Sequence, residues 1–345
     1  MQEVFNPTGL QGIEFVEFAG KDPVALEDTF LGFGFSKVKK LHGKNVSYFN
    51  QNDIHILLNS EKEGYAAEFT QAHGPCICSM GWRVKNADAA FQAAVSRGAR
   101  AYEGNGKTLD LPAIYGIGDS LIYFVDTYNE DNNLYGRFFE AHEQPIIVEE
   151  KGFLTIDHLT NNVFKGAMEK WADFYKKVFG FTEIRYFDIK GQKTGLHSYA
   201  LKSPCGGFSI PLNEGTEAKS QIEEYLREYH GEGIQHLAFL TRDLLNSLDR
   251  MENSPVDMLD IADDYYDHVF DRVPDVTEDH AHIQRHNVLV DGDKDGYLLQ
   301  IFTKNMCGPI FIELIQRKNH YSFGEGNFQA LFNSIERDQE RRGTL

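Results

Sequence analysis

The sequence predicts an α+β fold of four β-α-β-β-β modules, arranged as two pseudo-repeated, half-closed barrels of mixed strands with a C-terminal helix roofing the second. Three observations predict it. An internal repeat relates the two halves, three apolar strand-like runs in the second half each carry one metal-capable side chain, and the last segment has the period of an amphipathic helix. At 345 residues the chain exceeds the roughly 250–300 at which single cores stop growing, so two domains are expected, 1–150 and 151–345.

Ile13-Glu-Phe15-Val-Glu-Phe18 reads as the first strand, followed by a helical stretch and Gly32-Phe-Gly-Phe35, which lacks the glycine spacing and lysine of a phosphate loop. Residues 46–50 and 54–59 supply short strands. Met80-Gly-Trp-Arg-Val84 leads into a helix over 87–98, and 121–125 forms a further strand. A polar turn at 129–133 and a connecting segment at 143–150 mark the boundary.

The second half repeats this order. Ile156-Asp-His158-Leu is its first strand, and Ala167, Trp171, Phe174, Tyr175 and Val178 form one core-facing helical stripe before Phe179-Gly-Phe181. Strands follow at 198–201 and 208–212, then Gly233-Ile-Gln-His236-Leu, a helix over 244–251, a strand at 297–303, and Ile310-Phe-Ile-Glu313-Leu-Ile. Phe328, Leu331, Phe332 and Ile335 recur at i, i+3, i+4 and i+7, an amphipathic helix over 327–341 with flexible glycines, Gly324 and Gly326, ahead of it. Phe328 is expected to point into the site beneath this lid.

Matching the halves places Phe15, Met80 and Tyr123 where His158, His236 and Glu313 stand, so the first half keeps the fold without metal ligands. Two imidazoles and one carboxylate on one face of a metal leave positions open for substrate and O2, the arrangement of non-heme Fe(II) oxygenases. Satisfied core histidines are the bland alternative, but a lone carboxylate at Glu313 between Ile312 and Leu314 is costly unless paired or metal-bound. A rival set, His280, His282 and His286, reads as a solvated connection, although His282 and His286 at i, i+4 could clamp a metal if helical. The acidic run 260–267 and the pair Glu223-Glu224 read as solvated surface, and His197 should face away from Ser198.

A net charge of −18 argues against nucleic-acid binding. Cys76, Cys78, Cys205 and Cys307 are too few for a disulfide framework and fit a reducing cytoplasm; Cys76 and Cys78 read as buried strand residues. No stretch approaches the 18 apolar residues of a membrane span, and no signal-like segment opens the chain, so a cytoplasmic location is expected.

Segments 156–162, 179–181, 211–213, 219–222, 231–238, 295–303, 311–317 and 323–332, in this order, resemble 4-hydroxyphenylpyruvate dioxygenase, bacterial type, of the vicinal oxygen chelate superfamily. The resemblance covers nearly the whole chain, the first half matching as a degenerate, non-catalytic copy. It implies that His158, His236 and Glu313 bind one Fe(II) per subunit, that Ser198, Asn213, Gln221, Gln235 and Gln300 are the site's polar groups, and that Phe302, Phe311, Phe323 and Phe328 form its aromatic wall with Asn327 and Leu331 nearby. It implies conversion of 4-hydroxyphenylpyruvate and O2 to homogentisate and CO2 in tyrosine and phenylalanine catabolism, by a homodimer or homotetramer. Three other readings share parts of the pattern: 4-hydroxymandelate synthase, which tends to an aliphatic residue where Phe328 stands; a metal-free aromatic-ligand-binding protein; and an extradiol dioxygenase, which would use an acid–base histidine in place of the amides.

Overall fold

The computed structural model describes residues 4–129, 132–190 and 194–343. The first half runs β1 (Leu10–Ala19), α1 (Pro23–Gly32), β2 (Ser36–Leu41), β3 (Val46–Gln51), β4 (Ile54–Asn59), α2 (Tyr65–His73), β5 (Cys76–Val84), α3 (Ala87–Ser96), β6 (Ala113–Tyr115), β7 (Leu121–Val125), β8 (Tyr128–Asn129), β9 (Asn132–Asn133), α4 (Leu134–Arg137) and β10 (Phe139–Ile146). The second runs β11 (Phe153–Val163), α5 (Met168–Phe174), β12 (Thr182–Lys190), β13 (Gly195–Lys202), β14 (Ser209–Gly215), α6 (Gln221–Glu228), β15 (Gly233–Thr241), α7 (Leu244–Asp249), α8 (Tyr266–Arg272), α9 (His280–Arg285), β16 (Leu289–Asp293), β17 (Gly296–Phe302), β18 (Phe311–Lys318) and α10 (Phe328–Arg342).

Two eight-stranded sheets result, ordered β10-β2-β3-β4-β1-β5-β7-β6 and β12-β13-β14-β11-β15-β18-β17-β16. The second sheet is two complete four-strand modules joined at the antiparallel pair β11/β15. The first departs from that plan. Its second module has only β5, β6 and β7, the missing strand being reduced to an isolated bridge between Ala101 and Ile114. Its eighth strand is β10, paired antiparallel with β2 at the opposite edge. Part of the expected connecting segment is therefore sheet: Glu140 and Glu143 of β10 lie against Lys40 of β2, so charge complementarity favours this edge pairing. Glu130 and Asp131 of the expected polar turn lie outside the described residues.

Strand register corrects one position of the repeat. In the second half His158 pairs with Ala238, which pairs with Glu313; in the first, Phe15 pairs with Gly81, which pairs with Tyr123. Phe15 and Tyr123 thus do occupy the places of His158 and Glu313. His236 lies opposite Thr160, and the matching pair is Ser79 opposite Glu17, so Ser79, not Met80, corresponds to His236. A one-residue slip sends a side chain to the other face of a strand. The Phe15 and Tyr123 rings fill the first barrel with centroids 6.0 Å apart, and a Cβ on Gly81 would come within 2.3 Å of the Phe15 ring. The Ser79 hydroxyl donates to the buried Glu17 carboxylate, which also accepts from Asn59 Nδ2 at 2.7 Å and Thr108 Oγ1 at 2.6 Å.

The repeated Gly-Phe motifs join the halves. Phe33 and Phe35 pack on Phe239 at 5.8 and 5.6 Å, and in the reciprocal position Phe179 and Phe181 pack on Trp82 at 4.6 and 6.1 Å. Trp82 follows Gly81 just as Phe239 follows Ala238, so each side chain points outward from the strand whose neighbour points into its barrel. One buried cluster consequently spans both halves, with Tyr175 and Trp171 of the expected aromatic stripe in it. No helix among the described residues is long and apolar enough to cross a membrane.

Candidate metal centre

β11, β15 and β18 lie side by side at the middle of the second sheet, and their register brings the three predicted ligands together. His158 Nε2 is 3.0 Å and His236 Nε2 3.5 Å from Glu313 Oε2, with all three side chains buried. Both rings are held from behind: His158 Nδ1 lies 2.8 Å from Asp157 Oδ2, and His236 Nδ1 3.0 Å from Gln235 Oε1. With each Nδ1–H donating outward, Nε2 is the ring nitrogen that each histidine turns toward Glu313. Asp157 is itself fixed by Arg317, whose Nε and Nη2 each donate to it at 2.8 Å, while Arg317 Nη1 donates to the carbonyls of His320 and Ser322. The Phe311 ring stacks on His236 at 4.8 Å, and Phe323 meets His158 edge-on at 5.4 Å.

Electrostatics follow the same contacts. Burial disfavours a charged His158, but the carboxylates of Glu313 and Asp157 outweigh it and lift His158 to about 9. Burial would raise Glu313, yet the two imidazoles hold it at about 2. His236, farther from the carboxylate and facing the charge on His158, is pushed down by burial. Asp157 stays well below the usual carboxylate range because Arg317 and His158 overcome its desolvation. Two imidazole nitrogens and one ionised carboxylate, converging and individually oriented, fit a divalent metal bound on one face.

The cavity beside these ligands is lined by Ser198, Asn213, Gln221, Gln235, Gln300, Phe302, Phe311, Phe323, Phe328 and Leu331, all read from the sequence. Ser198 and Asn213 face each other across β13 and β14, and Phe302 lies opposite Glu313 across β17 and β18. Gln300 Oε1 is buried without a hydrogen-bond partner among the described residues. Gly324, at φ +79°, passes so close that a Cβ there would lie 2.3 Å from that oxygen. His197 sits outside with Asp188, as strand alternation requires.

Asn327 is the exception. Its side chain turns away from the cavity, Oδ1 accepting from Tyr265 Oη at 2.7 Å and Arg272 Nη2 at 3.1 Å, so it fixes the start of α10 from outside. Sequence reading missed Thr160, Phe187, Ile189, Leu196 and Pro211, and took Phe332 and Ile335 only as helix stripe; all seven line the cavity. Alternation from His158, Ser198 and Asn213 carries a signal for Thr160, Leu196 and Pro211, two residues away on the same faces.

The helix α10 closes the cavity with Phe328, Leu331, Phe332 and Ile335, Phe328 meeting Phe187 at 5.5 Å. Glu224, expected on solvated surface, is buried instead: it accepts from Arg342 Nη1 at 2.6 Å and Gln339 Nε2 at 2.7 Å, tying α10 to α6. The expected solvated connection 279–286 is also ordered, as α9, with His282 and His286 converging on Asp249.

Comparison with known proteins now bears on this site. The family described as "Hydroxyphenylpyruvate dioxygenase, HPPD, N-terminal" matches residues 4–140. The 4-hydroxyphenylpyruvate dioxygenase of Legionella pneumophila (strain Corby) is 46% identical over 99% of this chain and 98% of its own length. The chain belongs to the 4-hydroxyphenylpyruvate dioxygenase family. Protein MelA of Shewanella colwelliana is 61% identical over 99% of both chains. Residues 155–301, which carry His158 and His236 and end before Glu313, match the "Glyoxalase/Bleomycin resistance protein/Dioxygenase superfamily".

Two solved structures share that fold. A xylose isomerase-like TIM barrel/4-hydroxyphenylpyruvate dioxygenase fusion protein superposes with a TM-score of 0.82 at 29% identity, covering 96% of this chain, which spans about half (54%) of that longer protein. A mutant of 4-hydroxymandelate synthase from Streptomyces coelicolor superposes with a TM-score of 0.81 at 22% identity over 96% and 99% of the two chains, a likeness of fold alone.

Proposed function

We propose that this chain converts 4-hydroxyphenylpyruvate and O2 to homogentisate and CO2, with one Fe(II) per subunit held by His158, His236 and Glu313. The observation that carries the reading is the convergence of two imidazoles and a carboxylate at the wall of a cavity lined by amides and phenylalanines. Bound iron would supply activation of O2. The protein's own groups do the placing. One carboxylate against a divalent cation leaves net positive charge, which attracts the carboxylate of an α-keto acid despite the −18 total.

Ser198, Asn213, Gln221 and Gln300 offer neutral donors and acceptors for a phenol and a carbonyl, and the unpartnered Gln300 Oε1 is an acceptor for a substrate hydroxyl. Gln235 is given a double role, lining the cavity and orienting His236. Phe302, Phe311, Phe323 and Phe328 grip the ring by edge and face contacts and exclude water beneath α10. Residues 1–150 serve as a non-catalytic partner half and 151–345 as the catalytic domain, in a homodimeric or homotetrameric protein of the cytoplasm, a location its four free cysteines suit.

The test is anaerobic reconstitution with Fe(II), addition of 4-hydroxyphenylpyruvate and air, and product analysis by mass and retention time. Homogentisate with one CO2 per O2, lost in His236→Ala, supports the reading. Hydroxymandelate would move the assignment to the synthase, and an untouched substrate with iron bound would sink the substrate assignment.

A further inference from the structure

We infer that Asp249, His282 and His286 form a second metal site, specific for zinc-class divalent transition ions and separate from the cavity ligands. The pattern His282/His286 at i, i+4 is left unused by the proposed reaction, and α9 places both imidazoles against the C-terminal end of α7. His282 Nε2 lies 2.9 Å and His286 Nε2 2.8 Å from the same atom, Asp249 Oδ1. The ring centroids are 5.0 Å apart.

A fourth group marks the position a cation would take. Arg285 Nη2 lies 3.0 Å from His282 Nε2 and 3.1 Å from His286 Nε2, and it donates to Asp249 Oδ1. No hydrogen-bond assignment satisfies this set. A carboxylate oxygen only accepts and a guanidinium only donates, so an Nε2 that donates to Asp249 confronts Arg285, and one that accepts from Arg285 confronts Asp249. A divalent ion at the guanidinium nitrogen's place resolves the conflict, because it takes a lone pair from both imidazoles and one from the carboxylate. Tetrahedral zinc, with bonds of about 2.0–2.1 Å, sets its ligand atoms about 3.3 Å apart, a small opening from the observed spacing.

The site is accessible, Asp249 and His282 side chains being 40% and 27% exposed. Arg285, 57% exposed, has a second carboxylate within reach, Glu252 at 3.6 Å, to which it can withdraw. Two nitrogen donors and one oxygen donor suit Zn(II), with water as a fourth ligand. Bound metal would staple α7 to α9.

The experiment uses the full chain already loaded with Fe(II) under anaerobic conditions, dialysed against Zn(II), with both metals measured per chain and melting temperature recorded. Wild type should retain one zinc beside its iron and melt higher with zinc. His286→Ala and His282→Gln should each weaken zinc binding by about a hundredfold while keeping iron, 4-hydroxyphenylpyruvate turnover and the zinc-free melting temperature. Arg285→Ala should tighten zinc binding by about tenfold, since a like charge competing for the same ligands is removed. The inference is overturned if wild type retains no zinc, if His286→Ala and His282→Gln retain as much as wild type, or if zinc enters only as iron leaves. Because these outcomes are read from zinc content, they stand apart from any failure of the catalytic assignment.

Discussion

Asp157→Asn isolates what orients the metal ligands. The Asp157 carboxylate takes three donors through two oxygens, Arg317 Nε and Nη2 and the His158 ring, each at 2.8 Å. An asparagine offers one oxygen and one NH2: with the NH2 in the place of Oδ1 it opposes Arg317 Nε, and in the place of Oδ2 it opposes both Arg317 Nη2 and the His158 Nδ1–H. Arg317 is only 11% exposed and would keep two backbone carbonyls as partners while losing its counter-charge. Breaking a buried pair from one side costs roughly 3–5 kcal/mol, and loss of a ligand-orienting partner costs about 10–100-fold in metal affinity. Chelator competition should therefore show Asp157→Asn binding Fe(II) about 10–100-fold more weakly, and urea unfolding of metal-free protein should show a separate loss of about 3–5 kcal/mol. Unchanged affinity alongside lowered stability would refute the reasoning, because it would mean that the Asp157 charge does nothing for the His158 ligand.

Metal binding should depend on pH with a definite sign. His158 is raised above its ordinary 6.5 to about 9, so its proton, fully favourable below 6.5, is lost only as pH rises through 9, and a metal must displace it. Affinity measured between pH 6.5 and 9 should rise about tenfold per unit and then flatten; a flat profile would place the proton elsewhere. Glu313, held at about 2, remains ionised across that range and adds no step. Phe328→Ile should shift product from homogentisate toward hydroxymandelate by chromatography, and an unaltered product would remove Phe328 from ring positioning. Removing residues 324–345 should abolish turnover with Fe(II) still bound, since His158, His236 and Glu313 all lie outside that segment. Arg342→Ala removes a charged hydrogen-bond partner from the buried Glu224, a loss of roughly 1–3 kcal/mol, and should expose α10 to proteolysis at unchanged iron content.

The local pattern of the chain was sufficient for much of this. His158, His236 and Glu313 stood out because a polar side chain alone in an apolar strand has few inexpensive explanations, and the stripe of Phe328, Leu331, Phe332 and Ile335 fixed the closing helix because a 3.6-residue period has one geometric solution. Asn213, Gln300 and the phenylalanines came from matched motifs and Ser198 from the resemblance as a whole, and each lies at the cavity.

What the chain did not carry locally was register and partnership. Whether Met80 or Ser79 corresponds to His236 depends on how β1 and β5 slide past one another, which neighbours distant in sequence decide. The same holds for β10 joining β2, an edge favoured by Lys40, about 100 residues away. Asn327 beside Phe328 looked like part of the cavity wall, but Tyr265 and Arg272 claim its side chain from outside. Glu224 was taken for surface because a carboxylate's cost of burial is legible in sequence, whereas the Arg342 that offsets it, 118 residues on, is not. Sequence alone thus determined which side chains could do chemistry and which faces were apolar, since both are set by residue type and period. Only the tertiary structure decided which of those side chains meet, because that depends on long-range contacts that no local period encodes.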